Sequence, residues 1–91
     1  MQMNSKERLK SLLNAAGLKS SLIRLKVLGA LENESEGLST SQLHIRLLLS
    51  GESLERANIR ETIYRLMAHK VLTQSGNRRY RINTEWNSPP R

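Results

Sequence analysis

Cysteine and phenylalanine are absent from this 91-residue sequence, which has only one tryptophan and two tyrosines. The absence of cysteine excludes disulfide bonds, thiolate zinc sites and cysteine nucleophiles. Because aromatic residues are so few, leucine, isoleucine, valine and alanine must build the core, a composition that suits packed helices. The length allows one compact domain and leaves no room for a catalytic domain beside a separate sensing domain.

Long apolar stretches and catalytic motifs are also missing. No run of about 18 apolar residues occurs, and residues 1–10 lack the apolar centre of a signal peptide, so we expect a cytoplasmic protein without a membrane span. Without a Ser/His/Asp arrangement, a glycine-rich phosphate loop or paired catalytic carboxylates, we expect no enzyme activity, cofactor or small-molecule substrate. His44 and His69 are too far apart, and too unaccompanied, to predict a metal site.

The positive charge is large for the length and unevenly distributed. Fifteen basic and eight acidic residues give a net charge of +7. Residues 1–31 carry six basic and one acidic side chain, residues 32–61 three and six, and residues 62–91 six and one. Such a charge favours a polyanionic partner, nucleic acid first. The two basic ends predict a folded domain that brings them to one face.

The spacing of apolar residues and capping signals predicts four helices. Ser5 is the expected cap of the first helix, and Ser39 with Gln42 forms a capping box at the third. The second helix is apolar around nearly its whole circumference, so we expect it to be central and the most buried. The predicted helices cover residues 1–16, 18–32, 39–50 and 54–69.

A β-hairpin is predicted over residues 71–82, after the fourth helix. Two alternating segments flank Gly76-Asn77, a pair typical of a tight two-residue turn. Residues 84–91, which include Trp86, form an irregular tail. The fold class is therefore mainly α with a small hairpin, a winged helix-turn-helix domain over residues 1–83. In such a domain the second helix of the pair enters the major groove and the wing lies on the flanking backbone.

Residues 17–32 read GLKSSLIRLKVLGALE, and residues 38–43 read LSTSQL. These segments resemble the DNA-binding domain of the ferric uptake regulator family, which typically shows Gly-Leu-Lys-x-Thr-x-x-Arg-x-x-Ile/Val-Leu-x-x-Leu. The resemblance covers residues 17–82 and implies a DNA-binding transcriptional regulator of the bacterial type. The family's dimerisation domain, with its metal-binding His, Glu and Cys residues, has no counterpart here, so we do not expect metal sensing.

The resemblance extends into the helix expected to read DNA. Where the family usually has Thr-Val-Tyr-Arg, this sequence has Asn58-Ile59-Arg60-Glu61. Arg60 and Glu61 thus replace two residues that contact bases in the family, so we expect a different DNA sequence to be read. The string Thr62-Ile63-Tyr64-Arg65 matches the motif literally, but aligning it requires a four-residue shortening before residue 71. We prefer the ungapped register, and both registers present the same helix face.

Two groups of residues are predicted to contact DNA. With Ile59, Ile63, Leu66 and Met67 in the core, the major-groove residues are Ala57, Asn58, Arg60, Glu61, Tyr64 and Arg65. Residues expected at the backbone or minor groove are Lys19, which the resemblance places in the minor groove, Arg24, Arg56, Asn77, Arg78, Arg79 and Arg81.

Plainer interpretations exist for the same residues. The helix face can be an ordinary solvated surface, and the hairpin arginines, which alternate with Tyr80 and Ile82, can protect an edge strand. Arg56 is expected nearer the core side, from which it would reach a phosphate.

The expected partner is double-stranded DNA, with a homodimer or another regulatory protein as a further possibility. An alternative function is a protein-interaction module, an adaptor or antagonist of another regulator. Acidic residues support it, and Glu61 on the expected reading face is its best support. RNA binding ranks third, because the sequence has few aromatic residues for base stacking. The glutamates in question are Glu32, Glu34, Glu36, Glu52, Glu55 and Glu61.

Overall fold

The computed structural model describes residues 4–83, and the predicted tail with Trp86 lies outside the described residues. Four helices and a two-stranded antiparallel hairpin follow one another as a winged helix. None of the helices in residues 4–83 is long and apolar enough to cross a membrane. The elements are α1 (Ser5–Ala15), α2 (Leu22–Leu31), α3 (Thr40–Leu49), α4 (Arg56–Ala68), β1 (Leu72–Ser75) and β2 (Arg79–Ile82).

Side-chain caps begin the first three helices. The capping box at α3 is confirmed, because Gln42 and Ser39 exchange hydrogen bonds of 3.2 and 2.9 Å. Ser21 caps α2. The predicted cap of α1 is wrong by one residue. Asn4 has the extended backbone of a cap and accepts a 2.8 Å hydrogen bond from the Glu7 N–H, so Ser5 lies inside the helix.

Three helices end with a residue in the left-handed backbone region. Gly17 and Gly51 take this position after α1 and α3, but Lys70 takes it after α4 with φ of 65°. The next residue, Val71, donates a 2.9 Å hydrogen bond to the Leu66 carbonyl and is itself buried. This pattern is a Schellman motif, which turns the chain sharply from α4 into the hairpin.

Helix α2 lies at the centre of the domain, as predicted, and contacts α1, α3, α4 and β2. Its side chains Val27, Leu28 and Leu31 are almost fully buried. The apolar surface is not buried all round, however, because Leu22 in the first turn is 67% exposed. The rest of the core comes from α1, α3, α4, β1 and the segments between elements: Leu9, Leu12, Leu13, Leu18, Leu38, Leu43, Leu47, Ile59, Ile63, Leu66, Val71 and Leu72.

The hairpin turn has three residues, so the predicted two-residue turn is wrong. Ser75 pairs with Arg79, and Asn77 and Arg78 within the turn have φ of 65° and 58°. Side chains of paired residues share a face, and a two-residue turn would set Arg81 opposite the buried Leu72. The extra residue shifts the register, so that Leu72 pairs with Ile82 and Gln74 with Tyr80.

The loop before α3 is attached to the hairpin through a backbone bridge. The Leu38 N–H donates to the Tyr80 carbonyl at 3.0 Å, and the Tyr80 N–H donates to the Leu38 carbonyl at 2.9 Å. Gly37 has φ of +82°, and a Cβ at this position would lie 2.5 Å from the Tyr80 oxygen. Only glycine combines this backbone conformation with so close an approach to β2.

Candidate nucleic-acid interface

Helix α4 presents a polar outward face and an apolar inward face. Ile59, Ile63 and Leu66 are fully buried, as predicted, whereas Met67 is half-buried. Thr62 is also buried, a position that sequence reasoning missed although it lies three residues after Ile59. Its hydroxyl donates a 2.8 Å hydrogen bond to the Asn58 carbonyl, so it enters the core with its polar group satisfied. The predicted reading residues are all exposed: Ala57, Asn58, Arg60, Glu61, Tyr64 and Arg65.

The outward face of α4 continues into the beginning of α2. We call this surface the α2–α4 cleft. Arg24 stands on the α2 side, and its Nη1 donates a 2.9 Å hydrogen bond to the Lys19 carbonyl. The structure therefore brings two predicted backbone contacts, Lys19 and Arg24, beside the predicted reading helix. The cleft is lined by Ser21, Ile23, Arg24, Glu61, Thr62, Tyr64, Arg65, Ala68 and His69.

His69 ties this region to the end of the first helix. Its Nδ1 lies 2.9 Å from the Ala16 carbonyl oxygen, and the segment that follows Ala16 carries Lys19. This contact was not predicted, because it joins residues 53 positions apart. Its geometry suits an N–H donated from the ring to the carbonyl. Across residues 4–83, no group of three or more His, Asp or Glu side chains is arranged to hold a metal ion.

The arginines of the α2–α4 cleft differ in their electrostatic partners from Arg8, Arg46 and Arg79, each of which pairs with a glutamate. Within the described part of the chain, no carboxylate lies within ion-pair distance of Arg24 or Arg65 in the cleft, or of Arg60, which is exposed on α4 beside it. Glu61 lines the same cleft and forms no ion pair there either. This surface therefore exposes cationic groups together with a single central carboxylate.

Arg56 occupies the other side of α4, and its predicted position near the core is wrong. Its side chain is exposed, and its guanidinium donates a hydrogen bond to the Ser41 hydroxyl near the start of α3. Arg56 lies three residues before the buried Ile59, but the residues that follow it in the first turn of α4, Ala57 and Asn58, are exposed as well. Its long side chain therefore extends over α3 and connects the two helices of the helix-turn-helix.

The predicted residues of the wing separate into two groups. Asn77 and Arg78 form the tip of the hairpin and are exposed. Arg79 turns instead toward the loop before α3, where its Nη1 lies 3.4 Å from Glu36 Oε1. Arg81 lines a groove with Arg8 of α1. The grooves that contain the β2 arginines share no residue with the α2–α4 cleft. That these arginines contact the same DNA as the reading helix stays a prediction.

The loop between α2 and α3, residues 32–37, contains a glutamate at every second position, and we call it the acidic loop. Each of its glutamates pairs with an arginine from a different element. Glu32 pairs with Arg8 of α1, Glu34 with Arg46 of α3 at 2.7 Å, and Glu36 with Arg79 of β2. Sequence reasoning noted the acidic segment but missed this pairing, whose only signal was the placement of acidic residues between two basic segments.

Two comparisons with known proteins found a match, one among protein-family models and one among solved structures. The family model described as "Uncharacterised conserved protein UCP029502" matches residues 4–88. No curated protein matches the sequence. Among solved structures, the fold is similar to that of the Vibrio cholerae ferric uptake regulator (Fur), with a TM-score of 0.74 and 25% sequence identity. That crystal structure is described as revealing a structural rearrangement of the DNA-binding domains.

The similarity to Fur covers 84% of this chain and 62% of the Vibrio cholerae chain, so the match spans less than two thirds of that protein. The predicted winged-helix fold is confirmed by the element order and by this similarity. The predicted resemblance to the ferric uptake regulator family is supported at the level of the fold.

Proposed function

The chain belongs to the family described as "Uncharacterised conserved protein UCP029502", and on this premise we propose that it is a transcriptional regulator that binds double-stranded DNA. In this proposal it reads a specific sequence without sensing a metal and catalyses no reaction. Its fold resembles that of the Vibrio cholerae ferric uptake regulator, whose crystal structure is described as revealing a rearrangement of the DNA-binding domains. That likeness supports DNA as the partner, but the residues of α4 carry the argument for sequence reading.

The observation that carries the proposal is the unpaired state of the arginines beside α4. Arg24, Arg60 and Arg65 form no ion pair among residues 4–83, whereas the glutamates of the acidic loop hold arginines elsewhere. A cation without an intramolecular carboxylate retains its full attraction for phosphate. The proposed DNA surface is therefore one whose arginines keep their positive charge uncompensated within residues 4–83, as Arg78 and Arg81 of the hairpin also do.

The proposed mode of binding follows from the shape of this surface. The major groove of B-DNA admits one α-helix, and α4 offers its outward face to the base edges. Arg60 and Arg65 suit guanine, Asn58 suits adenine, and Tyr64 can touch a thymine methyl group. Phosphates on the flanks would be held by Lys19 and Arg24 on one side and by the hairpin tip, Asn77 and Arg78, on the other.

A second candidate function, binding to a protein partner, is favoured by one observation. Helix α3 exposes three large apolar side chains, Ile45, Leu48 and Leu49, and Leu49 is 82% exposed. Exposed apolar side chains that cluster on one helix are typical of contacts with another protein or a second copy. The glutamates give this function less support, because four of the six form intramolecular ion pairs. Those four are Glu32, Glu34, Glu36 and Glu52.

The proposal is tested by selection of bound sequences from a random pool of double-stranded DNA, followed by titration at several salt concentrations. We expect one sequence to be enriched, and log affinity to fall linearly with log salt with a slope of about −0.9 for each phosphate contact. A pull-down under the same conditions tests for a protein partner. No binding at low salt, together with recovery of a stoichiometric protein partner, would exclude DNA reading in favour of the second candidate.

A further inference from the structure

Glu61 lies in the middle of the surface that is proposed to read DNA. It is exposed, and Ala57 and Tyr64, at helical spacing before and after it, occupy the same outward stripe of α4. Arg24 and Arg65 line the same cleft, but neither forms an ion pair with Glu61 within residues 4–83. The carboxylate is therefore exposed in the cleft and is not held in an ion pair within residues 4–83.

A carboxylate at this position is unfavourable for nonspecific DNA binding, because it repels phosphates and can only accept hydrogen bonds. Its presence is favourable only where DNA offers a donor. In the major groove the donors are the amino groups of cytosine and adenine, whereas guanine presents two acceptors and thymine an acceptor and a methyl group. Of the two amino bases, adenine also carries an acceptor, N7, beside its amino group. This N7 would face the second carboxylate oxygen of Glu61, and two acceptors repel each other. Cytosine has no such acceptor.

We propose that Glu61 is a specificity-determining residue that accepts a hydrogen bond from the cytosine amino group at one position of the bound site. This inference rests on the proposed function and adds the base that the central residue of α4 selects. Guanine and thymine are rejected because their oxygens would face the carboxylate, and adenine is disfavoured by its N7. Leaving a charged acceptor unpaired against such a base is costly.

The test uses the selected DNA site and its single-base variants at the position next to α4, with affinity measured by fluorescence anisotropy at one fixed salt concentration. The wild-type protein should prefer cytosine by roughly 5- to 160-fold over the other bases, the range for one good base contact. The variant Glu61→Gln keeps the size of the side chain but removes the charge and adds a donor. It should lose most of that preference while its affinity for the other bases rises.

Glu55→Gln is the matched control. Glu55 is exposed at the start of the same helix, makes no side-chain cap hydrogen bond and lies outside the α2–α4 cleft. It undergoes the same change of charge, so any general electrostatic gain appears in both variants. The preference for cytosine should survive in Glu55→Gln and be lost only in Glu61→Gln.

Three results overturn the inference. A cytosine preference that persists in Glu61→Gln, or changes equally in both variants, assigns the selectivity to another residue or to net charge. A selected site without any cytosine preference refutes the role of Glu61 but leaves the proposed function intact. Absence of DNA binding by the wild-type chain at low salt refutes both, so failure of the inference and of the function are distinguishable.

Discussion

The α2–α4 cleft and the acidic loop both combine arginines with glutamates, but they use them in opposite ways. In the acidic loop every glutamate pairs with an arginine from a different element. In the cleft Glu61 and its neighbouring arginines form no such pair within the described chain. Exposed ion pairs stabilise a fold by only about 0–1 kcal/mol. The main effect of pairing is thus to decide where positive charge remains available for a ligand.

This difference changes the meaning of the net charge of +7. A count of residues treats Arg46 and Arg65 as equal, yet Glu34 compensates the first and no described carboxylate compensates the second. The cationic surface available to DNA is therefore smaller and more localised than the composition implies. Three changes to the molecule test this comparison, beginning with the largest expected effect.

The first change detaches the acidic loop from the hairpin. Gly37→Ala introduces a Cβ at 2.5 Å from the Tyr80 oxygen in a backbone conformation that alanine disfavours. We expect the free energy of unfolding to fall by about 2 kcal/mol or more, because strain and loss of the Leu38 bridge add together. Urea denaturation measures the change.

Gly29→Ala is the control for this first change. Gly29 lies inside α2, and a Cβ there meets no atom within 4 Å. Alanine is the better helix former, so this variant should be more stable by about 0.5–1 kcal/mol. Equal stability of Gly37→Ala and wild type would show that the close approach of the loop to β2 is not required.

The second change compares equal losses of charge from the two regions. The double variant Arg24→Ala with Arg65→Ala removes unpaired arginines, whereas Arg8→Ala with Arg46→Ala removes arginines that are paired with the acidic loop. At about 0.1 M salt we expect loss of the Arg24 phosphate contact in the first variant to weaken DNA binding roughly tenfold and to make the salt slope shallower by about 1. Loss of the Arg65 base contact should weaken binding to the selected site by a further factor of roughly 5 to 160. The second should bind within about threefold of wild type. Equal weakening in both would mean that net charge alone governs binding.

The third change has the smallest expected effect and concerns the wing. Glu36→Gln removes the partner of Arg79, an exposed pair whose atoms lie 3.4 Å apart. Freed from this carboxylate, Arg79 can turn to a phosphate, and DNA affinity should rise about two- to fivefold. Glu34→Gln releases Arg46 of α3 with the same change of charge and should raise affinity less. Anisotropy titrations that give identical gains would place Arg79 outside the DNA surface.

Local signals in the sequence were sufficient for most of the fold. Ser39 and Gln42 fixed the start of α3 because a capping box involves only residues three apart. The apolar spacing of α4 predicted the burial of Ile59 and Leu66. The errors arose where a distant part of the chain decides the outcome. The turn at Gly76 takes three residues because Tyr80 and Ile82 must share the face of Leu72. The residues of the turn give no information about this requirement.

The amino-acid sequence alone determined the four helices, the hairpin, the outward residues of α4 and the total charge, because helical spacing, caps and composition are properties of neighbouring residues. The tertiary structure alone decided which charges neutralise one another. The three pairs of the acidic loop join residues 12, 24 and 43 positions apart, and such contacts exist only after the chain has folded. The location of the uncompensated charge, on which the proposed function depends, is therefore a property of the packed domain.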